Sequence, residues 1–103
     1  MTASERIHLE ELVLAALCQG AFDPARNKVM RRLASYRFAT DSHQVVCRAL
    51  ASIPTADPRR LRELLPSRLN NLGFPDMDWE NLFAPRTFEQ DRLAAQLDSL
   101  LAG

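Results

Sequence analysis

Leu9, Leu12, Val13, Ala16 and Leu17 recur at the spacing of one helix face, and Leu14 and Cys18 widen the stripe until most of the circumference is apolar. A helix covered in this way predicts a central place in the core. Gly20 closes it, because glycine enters the left-handed conformation that ends helices at no steric cost. Asp23-Pro24 then predicts a restart, with an N-cap acceptor ahead of a proline at the first helical position. The second helix has a narrow stripe of Val29, Met30 and Leu33, which leaves Arg26, Lys28, Arg31 and Arg32 largely outside it.

Phe38 precedes a third helix, whose start is marked by Asp41 with Gln44 three residues on, the spacing of a capping box. Val45, Val46, Ala49, Leu50 and Ile53 form its buried face. Asp57-Pro58 repeats the cap-plus-proline start ahead of Leu61, Leu64, Leu65, Leu69 and Leu72. Pro66 interrupts that pattern and predicts a kink or two short helices, since proline removes a donor and clashes with the preceding turn. A turn at Gly73-Phe74-Pro75-Asp76 leads to a short helical piece from Met77 to Phe83 that carries Trp79 and Leu82. Thr87 and Gln90 frame one more capping box, opening a last helix, 87–102, with Phe88, Leu93, Leu97, Leu100 and Leu101 on one side. Period-two alternation is missing, so the expected fold is all-α, a compact bundle of about six short helices. The chain reads as a single domain, 1–103, in which Ala84-Pro85-Arg86 is a place for the last helix to splay or to pair with a second copy.

Composition adds a size class: 103 residues, 47% apolar and 25% charged, suit one globular domain that needs no disulfide or metal. Cys18 and Cys47 fall on apolar helical stretches and are expected to be reduced core residues, which with a polar N-terminus points to the cytoplasm. No apolar run approaches the roughly 18–20 residues of a membrane span, and the apolar face of 24–34 is too small to hold a membrane surface.

Charge changes the picture more, because the net charge of zero hides an asymmetry. Residues 24–70 hold ten basic residues against Asp41, Asp57 and Glu63, a net +7, while the flanks carry −3 and −4. Blocks of this kind serve nucleic acid or an acidic partner, or are solvated faces that attract one another within the fold. Arg31, Arg32, Arg59, Arg60 and Arg62 are the candidate contacts to a partner or to phosphates.

Candidate chemistry is sparse. Gly20, Gly73 and Gly103 begin no phosphate loop or dinucleotide motif, so no cofactor is expected. His43 and Cys47 share a helix face, but two ligands fall short of the three or four of a zinc site, and Cys47 belongs to a packed face rather than to a nucleophile pair. Asp76, Asp78 and Glu80 are explained as carboxylates at a helix start. No catalytic or metal residue is assigned, and the chain is expected not to be an enzyme.

Phe38-Ala39-Thr40-Asp41-Ser42-His43-Gln44-Val45-Val46, an aromatic anchor and cap ahead of a histidine-led helix, resembles the N-terminal domain of DnaB-type replicative helicases and the helicase-binding C-terminal domain of bacterial primases. Phe38, His43 and Val46 fall where that family has its phenylalanine, histidine and branched aliphatic. Upstream, Glu10, Val13, Leu14 and Ala15 resemble its first helix, with Ala15 in place of the usual glycine, and downstream Ala56 to Leu65 resembles its leucine-bearing helix. The resemblance covers residues 8–72 and omits the motor's phosphate loop. It implies a helicase-head-like, free-standing module that docks a helicase- or primase-type protein through an apolar patch rimmed by arginines. In it Phe38 and Val46 fill the core, and His43 bonds a neighbouring loop carbonyl. Two alternatives stay open: a small nucleic-acid-binding protein using the basic middle, and a homo-oligomeric helical protein, such as a homo-dimer, of unrelated role.

Overall fold

The computed structural model describes residues 2–102; Met1 and Gly103, the ends of the expected domain, lie outside them. Those residues form α1 (Ala3–Cys18), α2 (Arg26–Leu33), α3 (Asp41–Ala51), α4 (Pro58–Asn71), a 3₁₀ turn (Glu80–Phe83) and α5 (Gln90–Ala102), with no strand among them. The fold is all-α, with five helices where about six were expected. The difference is the Met77–Phe83 piece, which tightens into a single 3₁₀ turn.

The broad apolar stripe of α1 has the consequence its pattern demands. Every residue from Val13 to Cys18 is buried, and α3, α4, α5 and the 3₁₀ turn all pack on this helix. Leu50, Ile53, Leu61, Leu65 and Leu69 complete the core from α3, the residues after it, and α4. α5 brings Leu93, Leu97 and Leu100, all buried within the single chain, with Leu101 partly exposed beside them. Ile7 and Leu72 are the large apolar side chains that stand exposed among the described residues.

Helix ends follow local chemistry, with several shifts from expectation. α1 and α4 close with the same pair of bonds: Ala21 N–H to Ala16 O and Gly20 N–H to Leu17 O, then Phe74 N–H to Leu69 O and Gly73 N–H to Asn70 O. Gly20 (φ +74°) and Gly73 (φ +90°) supply the left-handed residue that each closure requires. At Gly20 a side chain would also meet Ala56 O at 3.3 Å and Pro58 Cγ at 3.4 Å, so glycine lets the start of α4 sit close against the end of α1. Asp57 caps α4 as its sequence predicts, accepting from Arg59 N–H at 3.0 Å.

At Asp23-Pro24 the expected restart fails. The peptide is cis, the two residues lie in a run of turns, and α2 begins at Arg26 after Ala25, which has no capping side chain. The cap of α3 moves back by one residue and the expected box does not form: Thr40 is the N-cap and accepts from His43 N–H at 3.2 Å, while Gln44 Oε1 accepts from Phe38 N–H at 3.1 Å. The Thr87 box does not form either, because Gln90 Nε2 donates to Ala21 O at 2.8 Å and ties the start of α5 to the end of α1. Pro66 breaks nothing, since α4 runs through it. The carbonyl deprived of its donor belongs to Arg62, an exposed residue.

Cys18 and Cys47 are free and buried on α1 and α3. Burial pushes the Cys18 thiol up to about 12, against a smaller opposing effect of Arg26, and the Cys47 thiol up to about 11. The thiolate is the reactive form, so neither cysteine should react with a thiol reagent at neutral pH in the native protein. Both should react once guanidinium unfolds the chain; a thiol that titrates rapidly before unfolding contradicts the packing described.

Candidate functional site

The motif residues Phe38, His43 and Val46 come together, but inside the fold. Phe38 is buried with its ring set edge-on to Tyr36, the centroids 4.9 Å apart, and Val46 lies in the core. His43 does not bond a loop carbonyl. Its Nδ1 lies 3.0 Å from Glu10 Oε1, on a glutamate of α1 with no solvent exposure. That carboxylate also accepts from Tyr36 O–H at 2.6 Å and from the Ala39 N–H at 2.8 and 3.1 Å, and Arg6 Nε stands 3.5 Å away. Arg6 Nε in turn donates to the Tyr36 oxygen at 2.8 Å. A carboxylate oxygen is an acceptor that a histidine N–H meets more strongly than a neutral carbonyl, which accounts for the change of partner. Pattern reading missed Glu10 as a buried group because charged residues are almost never fully buried unless paired, and the pairing is tertiary.

Among the described residues no three histidine, cysteine or acidic side chains converge as a metal site. His43 is turned to Glu10, and Cys47 faces the core. Asp76, Asp78 and Glu80 are exposed, and of the three only Glu80 falls within a helical turn.

The candidate arginines divide between two helices. Arg31 and Arg32 stand exposed on α2, where Arg32 pairs with Asp98 of α5 at 2.8 Å. Arg59, Arg60 and Arg62 stand exposed on the first two turns of α4. Arg26, expected on the basic face, is buried instead and donates to Leu50 O at 2.9 Å, in the last turn of α3, and to Ile53 O at 3.0 Å, just past its end.

Arg62 has aromatic company. Its guanidinium lies 5.9 Å from the centre of the Trp79 ring and 5.6 Å from that of Phe83, and the two rings meet edge-on at 5.9 Å. Both rings are only partly buried. A groove of about 470 Å³ opens beside them, with Phe83, Pro58 and Pro85 as apolar lining and Arg59, Arg62 and Arg86 as its charged rim. Sequence placed Trp79 on a short helical piece and Arg62 among the candidate contacts, but gave no signal for their meeting. Two further residues that pattern reading missed hold the groove in shape. Gln19 Nε2 donates to Leu82 O and Ala84 O, both at 2.9 Å, fixing the 3₁₀ turn on the end of α1. Arg86 donates to Asn81 O and to Glu11, each at 3.2 Å. Partial burial opposes ionisation of Glu11, but the bonds from Asn81 and Arg86 outweigh it and hold this carboxyl below its usual range.

No family model, curated protein or solved structure matches this chain.

The Glu10 cluster yields two predictions. Glu10→Leu strands the donors of Tyr36, Ala39 and His43 beside an apolar side chain, and unfolding in urea should show a loss of about 3–5 kcal/mol, against a smaller loss for Glu10→Gln. Equal losses for the two variants would mean that shape rather than hydrogen bonding is what counts. Tyr36 is the second probe: burial raises its pKa above the ordinary 10.0, the bond donated to Glu10 raises it further, and Arg6 opposes both. A raised native value means that the linked stability is present below pH 10 and is lost as pH climbs through the native value. Ultraviolet titration of this single tyrosine should show late ionisation in the native protein and an earlier one in Glu10→Leu, where burial still opposes ionisation but the bond to Glu10 is gone.

Proposed function

We propose that the chain is a non-catalytic protein-interaction domain, an adaptor that docks a partner through the face of Arg62, Trp79 and Phe83. The groove beside those rings carries the reading. Trp and Arg are the residue types that most often dominate binding energy at interfaces, in a partly apolar pocket that a partner can seal from water. Here a tryptophan, a phenylalanine and two prolines are ringed by three arginines on a surface otherwise short of exposed large apolar groups. The matching occupant is a protein segment that presents an apolar anchor flanked by carboxylates. The resemblance of residues 8–72 to helicase-head and primase-tail domains supports a replicative helicase or a primase as the partner.

Affinity capture of the tagged protein from its own cell extract, with and without nuclease, tests this. Helicase or primase should be recovered in both conditions, and Arg62→Ala/Trp79→Ala should weaken that complex by about 30-fold or more, as loss of a hot spot does, while circular dichroism shows the helices intact. Recovery that vanishes with nuclease, or that ignores the double substitution, overturns the reading.

A further inference from the structure

A second surface lies away from that groove, around the segment that joins α2 to α3. The backbone there is held from below. Phe38 N–H donates to Gln44, Ala39 N–H to Glu10, and the Arg37 carbonyl accepts from Arg6. The Arg37 side chain, by contrast, is exposed and makes no hydrogen bond or ion pair among the described residues. Two grooves meet at it. One, of about 550 Å³, is lined by Arg6, Arg32 and Ser35, and the other, of about 610 Å³, by Arg48, Asp41 and Gln44. Four guanidinium groups therefore line two grooves that adjoin at Arg37, a track whose one lining carboxylate is Asp41, with Asp98 paired to Arg32 beside it. Arg48 is as free as Arg37, and Arg32 is held only by Asp98 in an exposed pair that a phosphate can displace.

We infer that this track binds the sugar-phosphate backbone of duplex DNA without reading its sequence. The cations lining it are all arginines, whose planar fork suits phosphate oxygens. Two joined grooves suit a row of anions rather than one. The aromatic side chains at the track offer no platform for unpaired bases: Phe38 is buried, and the Tyr36 ring is packed edge-on by Phe38 and covered by the Arg6 guanidinium 5.4 Å from its centre. Binding a single strand ordinarily uses such platforms, whereas backbone contact alone supports duplex binding that is indifferent to sequence. Nothing in this inference depends on the partner face of Arg62.

The test is fluorescence anisotropy of the full chain with a labelled random-sequence duplex across a salt series. The logarithm of the association constant should fall against the logarithm of salt with a slope of about −3, the value for three or four neutralised phosphates. Arg37→Ala/Arg48→Ala, changes at two exposed positions, should lower affinity at least about 10-fold and flatten the slope by about 1–2. Arg59→Ala/Arg60→Ala, on the other surface, should leave both unchanged, and duplexes of different sequence should bind alike. Four results overturn the inference: no duplex binding at low salt, equal losses in the two double variants, tighter binding of the matching single strand, and displacement of the duplex by inorganic phosphate at a concentration too low to act as bulk salt. Loss of helicase or primase capture in Arg62→Ala/Trp79→Ala with unchanged duplex binding would separate the two surfaces directly.

Discussion

The carboxylate of Glu10 is the point on which the arrangement of the first half of the chain depends. Removing an ionised group from water costs several kcal/mol, and a buried carboxylate persists only where donors replace the lost solvent. Glu10 meets that requirement with donors from three places: the Tyr36 hydroxyl, the Ala39 amide and the His43 ring, with Arg6 alongside. All but Arg6 belong to residues 36–43, so satisfying one side chain of α1 fixes the whole path from α2 into α3. No buried side-chain polar atom is left without a partner among the described residues, as a fold that buries a charge in its centre must achieve.

Arg26 answers Glu10 at the other end of α3. It is a buried cation that finds no carboxylate, yet Leu50 O, in the last turn of that helix, and Ile53 O, just past its end, receive its guanidinium. Burial lowers its pKa, and the nearby Cys18 works in the opposite direction. The unpaired carbonyls of a helix C-terminus carry partial negative charge, and its first amides carry partial positive charge. α3 thus lies between an anion at its start and a cation at its end, each held by a different neighbouring element. This gives α3 a fixed direction and position that the apolar contacts of Val46, Ala49 and Leu50 could not supply alone.

Much of this was legible from residue spacing. The wide stripe of α1 placed it in the centre, the leucines of α4 lay where their period put them, and Gly20 and Asp57 marked ends that the structure keeps. The misses share one cause. At Asp41, Gln44 and Gln90 the sequence offered a local partner, and the fold used a better placed or more distant one: Thr40 took the cap, Gln44 turned to Phe38, and Gln90 reached Ala21. Arg26 read as a surface cation because its helix position lies off the apolar stripe, and only the end of α3 explains its burial. The arginines of the candidate site were legible as types, whereas their sorting into surfaces is a tertiary fact. The pairing of Arg62 with Trp79 spans two elements with no spacing rule to connect them.

That sorting changes what the basic middle of the chain means. A net +7 over residues 24–70 suggests one uniform face, but the fold draws on it for several ends. Arg26 is spent inside the core, Arg32 joins α2 to α5 through Asp98, and Arg62 lies over the rings of Trp79 and Phe83. Part of the asymmetry is therefore internal, with Asp98 of the C-terminal third meeting Arg32 of the middle. Lys28, Arg31, Arg37, Arg48, Arg59 and Arg60 remain exposed without an ion pair among the described residues, and of these Arg37 and Arg48 flank the segment whose backbone Glu10 and Gln44 hold. A cation on a rigid base loses less freedom when it meets an anion than one on a flexible loop, so the network that stabilises the fold also prepares these two side chains to bind. In this protein the buried glutamate and the exposed arginines belong to one construction, because the contact that holds residues 36–43 against α1 also decides where Arg37 stands.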